Sequence, residues 1–555
     1  MPPSKGGQGQ WALGHREPLN PNERAKRDDD GLAVRERILS RYAHTGFDSI
    51  DPVDLRNRFR WWGLYTQRRP GIPGGQTATL EPEQLEDSYF MLRVRMDGGQ
   101  LTSLQLRTVA EIAQTFGRDV ADVTDRQNVQ LHWIRIEDVP EIWGRLEAVG
   151  LSSTEACGDV PRVVLGCPLA GISADEVIDA TPALQKTVAR YLGDPDFSNL
   201  PRKYKSAISG CADHCTLHEI NDVAFVGVEH PELGLGYDLW VGGGLSTAPM
   251  LGQRLGGFVQ PYLVADTWAG VTALFRDYGY RRSRNRARLK FLVRDWGPRR
   301  IREVLEAEYL KEPLPDGPAP APPRTDSRDH VGVAPQRDGR FSVGTALRAG
   351  RTSGTSLRAL AELADEYGDG RIRTTTHQKV IVLDVPGDRV ERLSGELDRH
   401  GFAVRPSAFR RSTMACTGIE YCKLAIVETK SRATDLAAEL ERRLPGFAES
   451  VGIHLNGCPN SCARFQVADI GLKGSIVAGG EGFQLHLGGH LGRQSRLARK
   501  LRGLKVTAEA LPDYVEGLLR AFEIQRADGE TFADWVLRAE ESVLQSGAMT
   551  GGRDD

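Results

Sequence analysis

The chain is 555 residues long, 40% hydrophobic and 26% charged, with a formal net charge of −2 at pH 7. That length predicts two to four domains, and the near-neutral balance excludes a global attraction to nucleic acid or to an anionic membrane surface. No run of eighteen apolar residues occurs, so no membrane-spanning helix is predicted.

The N-terminal segment "MPPSKGGQGQWALG" lacks an apolar signal core and reads as a mobile polar arm. A cytoplasmic location follows as an expectation, and in that reducing compartment the eight cysteines are expected to be free, buried or metal-bound. Residues 1–80 are expected to pack around the outside. A first half-domain, 81–150, is built from the strand "YFMLRVRM", a helix with Leu106, Val109, Ala110 and Ala113 at helical spacing, the strand "VQLHWIRI", and a helix ending before "AVGL". A longer module, 151–310, carries "GCADHC", the glycine-rich "GLGYDLWVGGGLS" and the basic run 276–300. The proline-rich segment 311–330 is an extended linker. A second half-domain, 331–405, and a second module, 406–546, complete the chain before a disordered tail, 547–555.

The two halves repeat one another. "LRTVAEIAQTFG" at 106–117 matches "LRALAELADEYG" at 357–368, and "TDRQNV" at 124–129 matches "TTHQKV" at 375–380, both at an offset of 251. "SGCADHCTLHEINDVAFVG" at 209–227 matches "NGCPNSCARFQVADIGLKG" at 456–474 at an offset of 247. The predicted fold class is α+β, a pseudo-twofold pair of α/β units.

Cys458 and Cys462 stand four residues apart beside Gly457 and Pro459, and Cys416 and Cys422 add two thiols upstream. A helix started by Pro459 would set the sulfurs of the first pair one turn apart. Buried apolar thiols and structural zinc are the alternatives, but zinc prefers the tighter Cys-x2-Cys knuckle, and an iron–sulfur cluster is the preferred reading. Cys211 and Cys215 repeat the Cys-x3-Cys pair, whereas Cys157 and Cys167 fall on neither Cys416 nor Cys422 at either offset. One cluster, in the second copy, is expected, although four thiols of the first copy could also form a tetrad.

Copy one carries cations that copy two lacks. Arg93 and Arg95 share one strand face, as do Lys203 and Lys205, while the positions matching Arg93, Lys203 and Lys205 are Gly344, Ser450 and Gly452. Arg162 adds a fifth. Such pairs are often merely solvated. Pseudo-symmetry nevertheless turns Lys203 and Lys205 toward the cysteines of the other copy, so that one copy would hold a redox centre and the other an anion.

"CTGIEYC…NGCPNSC", "TDRQNVQLHW", "RKYK" and the twofold repeat resemble the siroheme and [4Fe–4S] sulfite/nitrite reductases over roughly residues 50–540. The resemblance implies ferredoxin-like half-domains plus two siroheme/iron–sulfur reductase modules. It implies that Cys416, Cys422, Cys458 and Cys462 ligate one [4Fe–4S] cluster, with Cys462 shared with the siroheme iron. Siroheme carries eight carboxylates. Arg126, Gln130 and His132 are implied as macrocycle contacts, with His377 and Gln378 as further candidates, and His132 could equally be a packed strand residue. Arg93, Arg162, Lys203 and Lys205 match the substrate-side positions of the sulfite enzymes, where plant-type nitrite reductases tend to have Asn in place of Lys205. Six-electron reduction of sulfite to sulfide for sulfur assimilation is therefore expected, with nitrite-to-ammonia reduction as the alternative.

No Rossmann fingerprint or flavin segment occurs, so reduced ferredoxin is the expected donor. The run 276–300 is its candidate basic docking patch, unless it is a solvated helix face or siroheme-side packing. In some relatives the positions of Tyr65 and Cys157 form a thioether. A monomer with no nucleic-acid or membrane partner is expected. A cobalamin-pathway relative is disfavoured by the complete basic quartet. A non-catalytic iron–sulfur or zinc protein is the alternative of another class.

Overall fold

Among the described residues, four five-stranded sheets carry the fold, two in each copy. The computed structural model describes residues 20–325 and 328–546. The polar arm and the tail 547–555 lie outside the described residues.

The first half-domain sheet runs in the order Leu64–Arg68, Glu86–Val94, Val129–Ile134, Ala121–Val123, Arg351–Thr352. The second runs Gly332–Pro335, Phe341–Thr345, Val380–Val385, Arg371–Thr374, Gln100–Thr102. Each sheet is thus closed at one edge by a strand from the other copy. Arg351 pairs in register with Asp122, and Arg371 with Thr102. The exchange covers an otherwise open edge in each half-domain and locks the two copies together.

The helices Ser103–Phe116 and Gly354–Tyr367 lie against each other across the pseudo-twofold axis. Both begin on a side-chain cap: Thr102 Oγ1 accepts from the Gln105 amide and Ser353 Oγ from the Ser356 amide. Leu106, Val109, Ala110 and Ala113 are buried as their spacing predicts, and Leu357, Leu360, Ala361 and Ala364 answer them. Each large aliphatic side chain buried here contributes about 1.5–3 kcal/mol. The exposed Arg107–Asp365 pair at 2.6 Å adds at most about 1 kcal/mol.

The N-terminal extension does more than wrap the outside. Leu64–Arg68 is an edge strand of the first sheet, and Phe59, Trp61 and Trp62 enter the half-domain core.

The two larger modules share one plan. Pro161–Leu165, Tyr204–Ser209 and Val223–His230 run parallel, then Gly234–Val241 and Gln253–Val259 return antiparallel. In copy two the matching strands are Thr413–Ala415, Ile453–Asn456, Ile470–Val477, Gly480–Leu487 and Arg499–Thr507. Among the described residues no helix is long and apolar enough to cross a membrane.

Candidate functional site

In open sheets with parallel strands, ligands collect at the carboxyl ends of those strands. Cys416 directly follows Thr413–Ala415, and Cys458 follows Ile453–Asn456 with one residue, Gly457, in between. Between them Gly457 passes so close to Ala425 that an added Cβ would stand 2.8 Å from the Ala425 Cβ. The expected helix at Pro459 does not form. Ser461 and Arg464 take left-handed backbone (φ 58° and 60°), which an α-helix cannot accommodate, and a series of turns brings Cys462 back toward Cys458.

The four copy-two thiols feel one another's charge. Burial and Cys462 push Cys416 up to about 12, and the same two influences raise Cys422 and Cys458. Yet they are not gathered closely enough for one ion: the only group of three or more candidate donors within 4.8 Å of one another, among the described residues, lies elsewhere. Four converging thiols with a gap between them suit a multi-iron cluster rather than a single metal. The Gly457 amide already donates to Cys416 Sγ at 3.2 Å, as thiolate ligands require.

Across from Cys462 stands the amino end of the copy-one sheet. Arg93, Lys203 and Lys205 each interact electrostatically with Cys462. Arg93, Lys203 and Lys205 are half-buried and Cys462 is exposed, and desolvation is nevertheless the largest influence on each of the three cations, as expected on the wall of a partly buried cleft. Among the described residues the Lys203 and Lys205 ammoniums make no ion pair or hydrogen bond, and the Nε atoms of Arg93 and Arg126 are buried without a partner. Uncompensated buried cations are costly unless something anionic joins them. A polyanionic group fits this cleft.

Electrostatics record the same strain. Burial lowers Lys205 to about 7, helped by Arg126 and Arg288 and opposed by Asp125. Burial, then Lys205, Arg202 and Arg288, push Lys203 well below the lysine range. Burial takes Arg126 to about 10. The backbone beneath these groups is held firmly. Asp222 accepts two bonds from Arg288, at 2.9 and 2.6 Å, and one from the Lys205 amide at 2.8 Å. Arg126 reaches Asn221 Oδ1 at 3.1 Å and the Val163 carbonyl at 2.8 Å. Arg162 is fixed by the carbonyls of Ala156 and Gly158. None of Asp222, Arg288 or Asn221 was apparent from spacing, since each bonds a partner distant in the sequence.

Several sequence expectations are corrected. His132 is fully buried, bonded to Asp122 at 2.9 Å and stacked on Tyr421 at 3.9 Å, so it is a packed strand residue and not a macrocycle contact. Gln130 pairs in register with Arg93 and Asp122 on the strand face opposite the core-facing Val129 and Leu131, beside the cleft. Gln378 is a clamp: its Nε2 donates to the Ala415 carbonyl at 2.7 Å and its Oε1 accepts from the Ala415 amide. His377 lines a different cavity, with Arg328, Lys379 and Arg464. Arg95 turns away from Arg93 to pair with Asp97 at 2.7 Å. The basic run 276–300 is two-faced: Arg281 binds Glu23, Arg284 binds Asp159, Arg288 binds Asp222, and Lys290 caps the carbonyls of Gly244 and Leu245, whereas Arg282, Arg286, Arg294, Arg299 and Arg300 are exposed.

Asp159 is the hub of one further network. It is buried and meets Arg284 at 2.6 Å and Lys26 and Arg202 at 3.4 Å. Burial alone would raise its carboxyl, but Arg284, Lys26 and Arg202 outweigh burial and hold it well below the usual range. Asp159→Asn strands these cations, and we expect a loss of about 3–5 kcal/mol, read as a lower denaturant midpoint. Because the folded value lies below the unfolded one, the Asp159 contribution is complete above about pH 4 and vanishes as pH falls through the folded value. The wild-type and variant midpoints should therefore converge in acid; a constant gap would contradict this.

Beside that hub, the Tyr65 hydroxyl is pushed up by burial and then by Cys157, which is itself wholly buried. Arg60 lies 5.7 Å over the Tyr65 ring.

The chain matches two family profiles. "Nitrite and sulphite reductase 4Fe-4S domain" covers residues 157–314 and 407–546, and "Nitrite/Sulfite reductase ferredoxin-like half domain" covers 82–149 and 334–400. It is 57% identical to "Sulfite reductase [ferredoxin] 2" of Mycolicibacterium paratuberculosis, over 97% of this chain and 98% of that one. "Sulfite reductase [ferredoxin]" of Mycobacterium tuberculosis is equally similar, at 57% with the same coverage. "Assimilatory ferredoxin-dependent nitrite reductase" of Haloferax mediterranei is 36% identical over 93% of this chain and 91% of its own length. The solved structure of the Mycobacterium tuberculosis NirA protein superposes with a TM-score of 0.94, covering 97% of this chain and 100% of that chain at 57% identity. With both profiles matched twice, in the order that the duplicated fold requires, the chain belongs to the nitrite and sulfite reductase family.

Proposed function

We infer that the chain is a ferredoxin-dependent sulfite reductase, reducing sulfite to sulfide at a siroheme coupled to a [4Fe–4S] cluster. The observation that carries this reading is the set of half-buried cations, with no carboxylate partner for Lys203 or Lys205, whose field meets that of Cys462. Relatives at 57% identity bear the sulfite reductase name, while those bearing the nitrite reductase name stand at 36–37%.

Cys416, Cys422, Cys458 and Cys462 would hold the cluster, and Arg126 with the neighbouring cations would meet siroheme carboxylates. When bound, these groups supply the route by which six electrons reach sulfur. The chain's own residues supply charge and protons. Arg93 and Arg162 bind sulfite oxygens, and Arg162 is pre-oriented by two backbone carbonyls. Lys203 and Lys205, depressed in the cleft, regain protons when a dianion enters because its charge offsets their mutual repulsion. Substrate binding thus loads the proton donors that each departing oxygen needs to leave as water.

Reduced ferredoxin is the donor. The inner cations of the basic run are spent on internal pairs, which leaves the exposed Arg282, Arg286, Arg294, Arg299 and Arg300 as the donor's candidate docking patch. Tyr65 and Cys157 are further assigned as a thioether pair, formed by loss of two hydrogen atoms to dioxygen. A peptide mass spectrum should show them joined and about 2 Da light; separate peptides of full mass would remove the assignment.

The functional reading is tested by the absorption spectrum and iron content of the purified protein. An intense Soret band with a red Q band, together with sulfide released under a low-potential donor, is expected. A colourless protein would refute it.

A further inference from the structure

Copy one holds a tighter cluster than the one just described. Cys167 Sγ, Cys211 Sγ, Cys215 Sγ and a His330 ring nitrogen all lie within 4.8 Å of one another. Cys167 Sγ and His330 Nε2 are 4.0 Å apart. Three of the four descend from the same positions as the copy-two ligands. Gln127 clamps Gly166, donating to its carbonyl at 3.0 Å and accepting from its amide at 3.1 Å, just as Gln378 clamps Ala415. Cys167 therefore corresponds to Cys416, at an offset of 249 that lies between the two offsets of the repeat. Cys211 and Cys215 correspond to Cys458 and Cys462. The loops share even their left-handed residues, His214 and Leu217 matching Ser461 and Arg464. His330, from the end of the linker, stands in for the fourth cysteine.

We propose that Cys167, Cys211, Cys215 and His330 form a structural zinc site that ties the linker to the first module. Zinc–sulfur bonds of about 2.3 Å in a tetrahedron put ligand atoms roughly 3.6–3.8 Å apart, close to the spacing of the group. A cluster of several irons would hold its thiolates further apart, as the copy-two thiols are held. Three thiolates with one imidazole form a closed set that leaves no position for substrate.

The surroundings are those of a structural site. Leu169, Ile381 and Leu383 sheathe it, and the Leu169 amide donates to Cys167 Sγ at 3.4 Å. Gly210, before Cys211, admits no side chain, since a Cβ there would lie 1.7 Å from the Ile178 carbonyl oxygen. Within the Cys211–Cys215 turn, Asp213 accepts from the amides of Arg324 and Thr325, so this loop already grips the linker that delivers His330. His330 is followed, with one residue in between, by the edge strand Gly332–Pro335 of the second half-domain. A metal here fixes where copy two begins relative to copy one.

The test counts metals in the full-length protein after dialysis against a chelator. About one zinc per chain is expected in addition to iron, with X-ray absorption at the zinc edge showing three sulfurs and one nitrogen. Cys211→Ser and His330→Ala should each reduce zinc below about 0.2 per chain and lower the Tm, and His330→Cys should keep it as a four-thiolate site. Soluble wild-type protein with iron but without zinc would overturn the proposal. So would zinc retained in both loss variants, or additional iron and sulfide in place of zinc. Because zinc is counted separately, a zinc-loaded chain inactive on sulfite would refute only the functional reading.

Discussion

Replacing Lys205 by Asn should cut kcat for sulfite by about 10²–10³-fold while lowering nitrite turnover much less. The Lys205 amine is half-buried, unpaired and held at about 7, the value at which a group both carries charge and gives up a proton readily. Asparagine keeps a hydrogen-bond donor but has neither charge nor a transferable proton. Sulfite, a dianion that must lose three oxygens as water, depends on both; nitrite, a monoanion, depends on them less. The backbone should not move, because Asp222 holds the Lys205 amide rather than its side chain. In the wild type, kcat/KM for sulfite should fall as pH rises through about 7 and Lys205 loses its proton; the variant should lack that limb. Equal losses on both substrates would show that Lys205 acts only as general charge.

Cys462→Ser should be more damaging still. Cys462 is the thiol whose charge reaches Arg93, Lys203 and Lys205 across the cleft and Cys416, Cys422 and Cys458 on its own side. It is the one residue common to both halves of the site. Loss of groups that merely orient ligands typically costs 10–100-fold, so losing this ligand should cost sulfite turnover more than about 10²-fold. The readout that separates a ligand from a packing residue is spectroscopic: iron per chain should drop, or the magnetic coupling between the two centres should disappear, in a variant that remains soluble. Normal coupling in Cys462→Ser would remove it from the assigned role.

Much of this was legible in the sequence because duplication leaves a register. The two offsets, the paired Cys-x3-Cys motifs and the cations missing from copy two single out Cys462 and the set Arg93, Lys203 and Lys205, whose charges reach one another in the structure. What stayed hidden was hidden for physical reasons. The offset slides from 251 through 249 to 247 along the copy, so Cys167 appeared unmatched until the Gln127 and Gln378 clamps equated it with Cys416. Strand exchange between the half-domains rests on Gln100–Thr102 and Arg351–Thr352, segments too short to show a period. His132 alternates with core residues like any strand position, and only its Asp122 partner shows that its polar ring is already satisfied. Within the run 276–300 the sequence cannot separate Arg281, Arg284 and Arg288 from their exposed neighbours, because it displays charge and not the buried carboxylates, Glu23, Asp159 and Asp222, that pair with those three. The cysteine turn was taken for a helix because left-handed Ser461 and Arg464 have no mark in composition.

The central claim is that the cationic cleft opposite Cys462 reduces sulfite. Its most direct test is kcat/KM for sulfite and for nitrite, measured side by side with reduced ferredoxin on the purified protein, following sulfide and ammonia. Sulfide release with the higher kcat/KM for sulfite is predicted. A clear preference for nitrite, with ammonia as the main product, would contradict it.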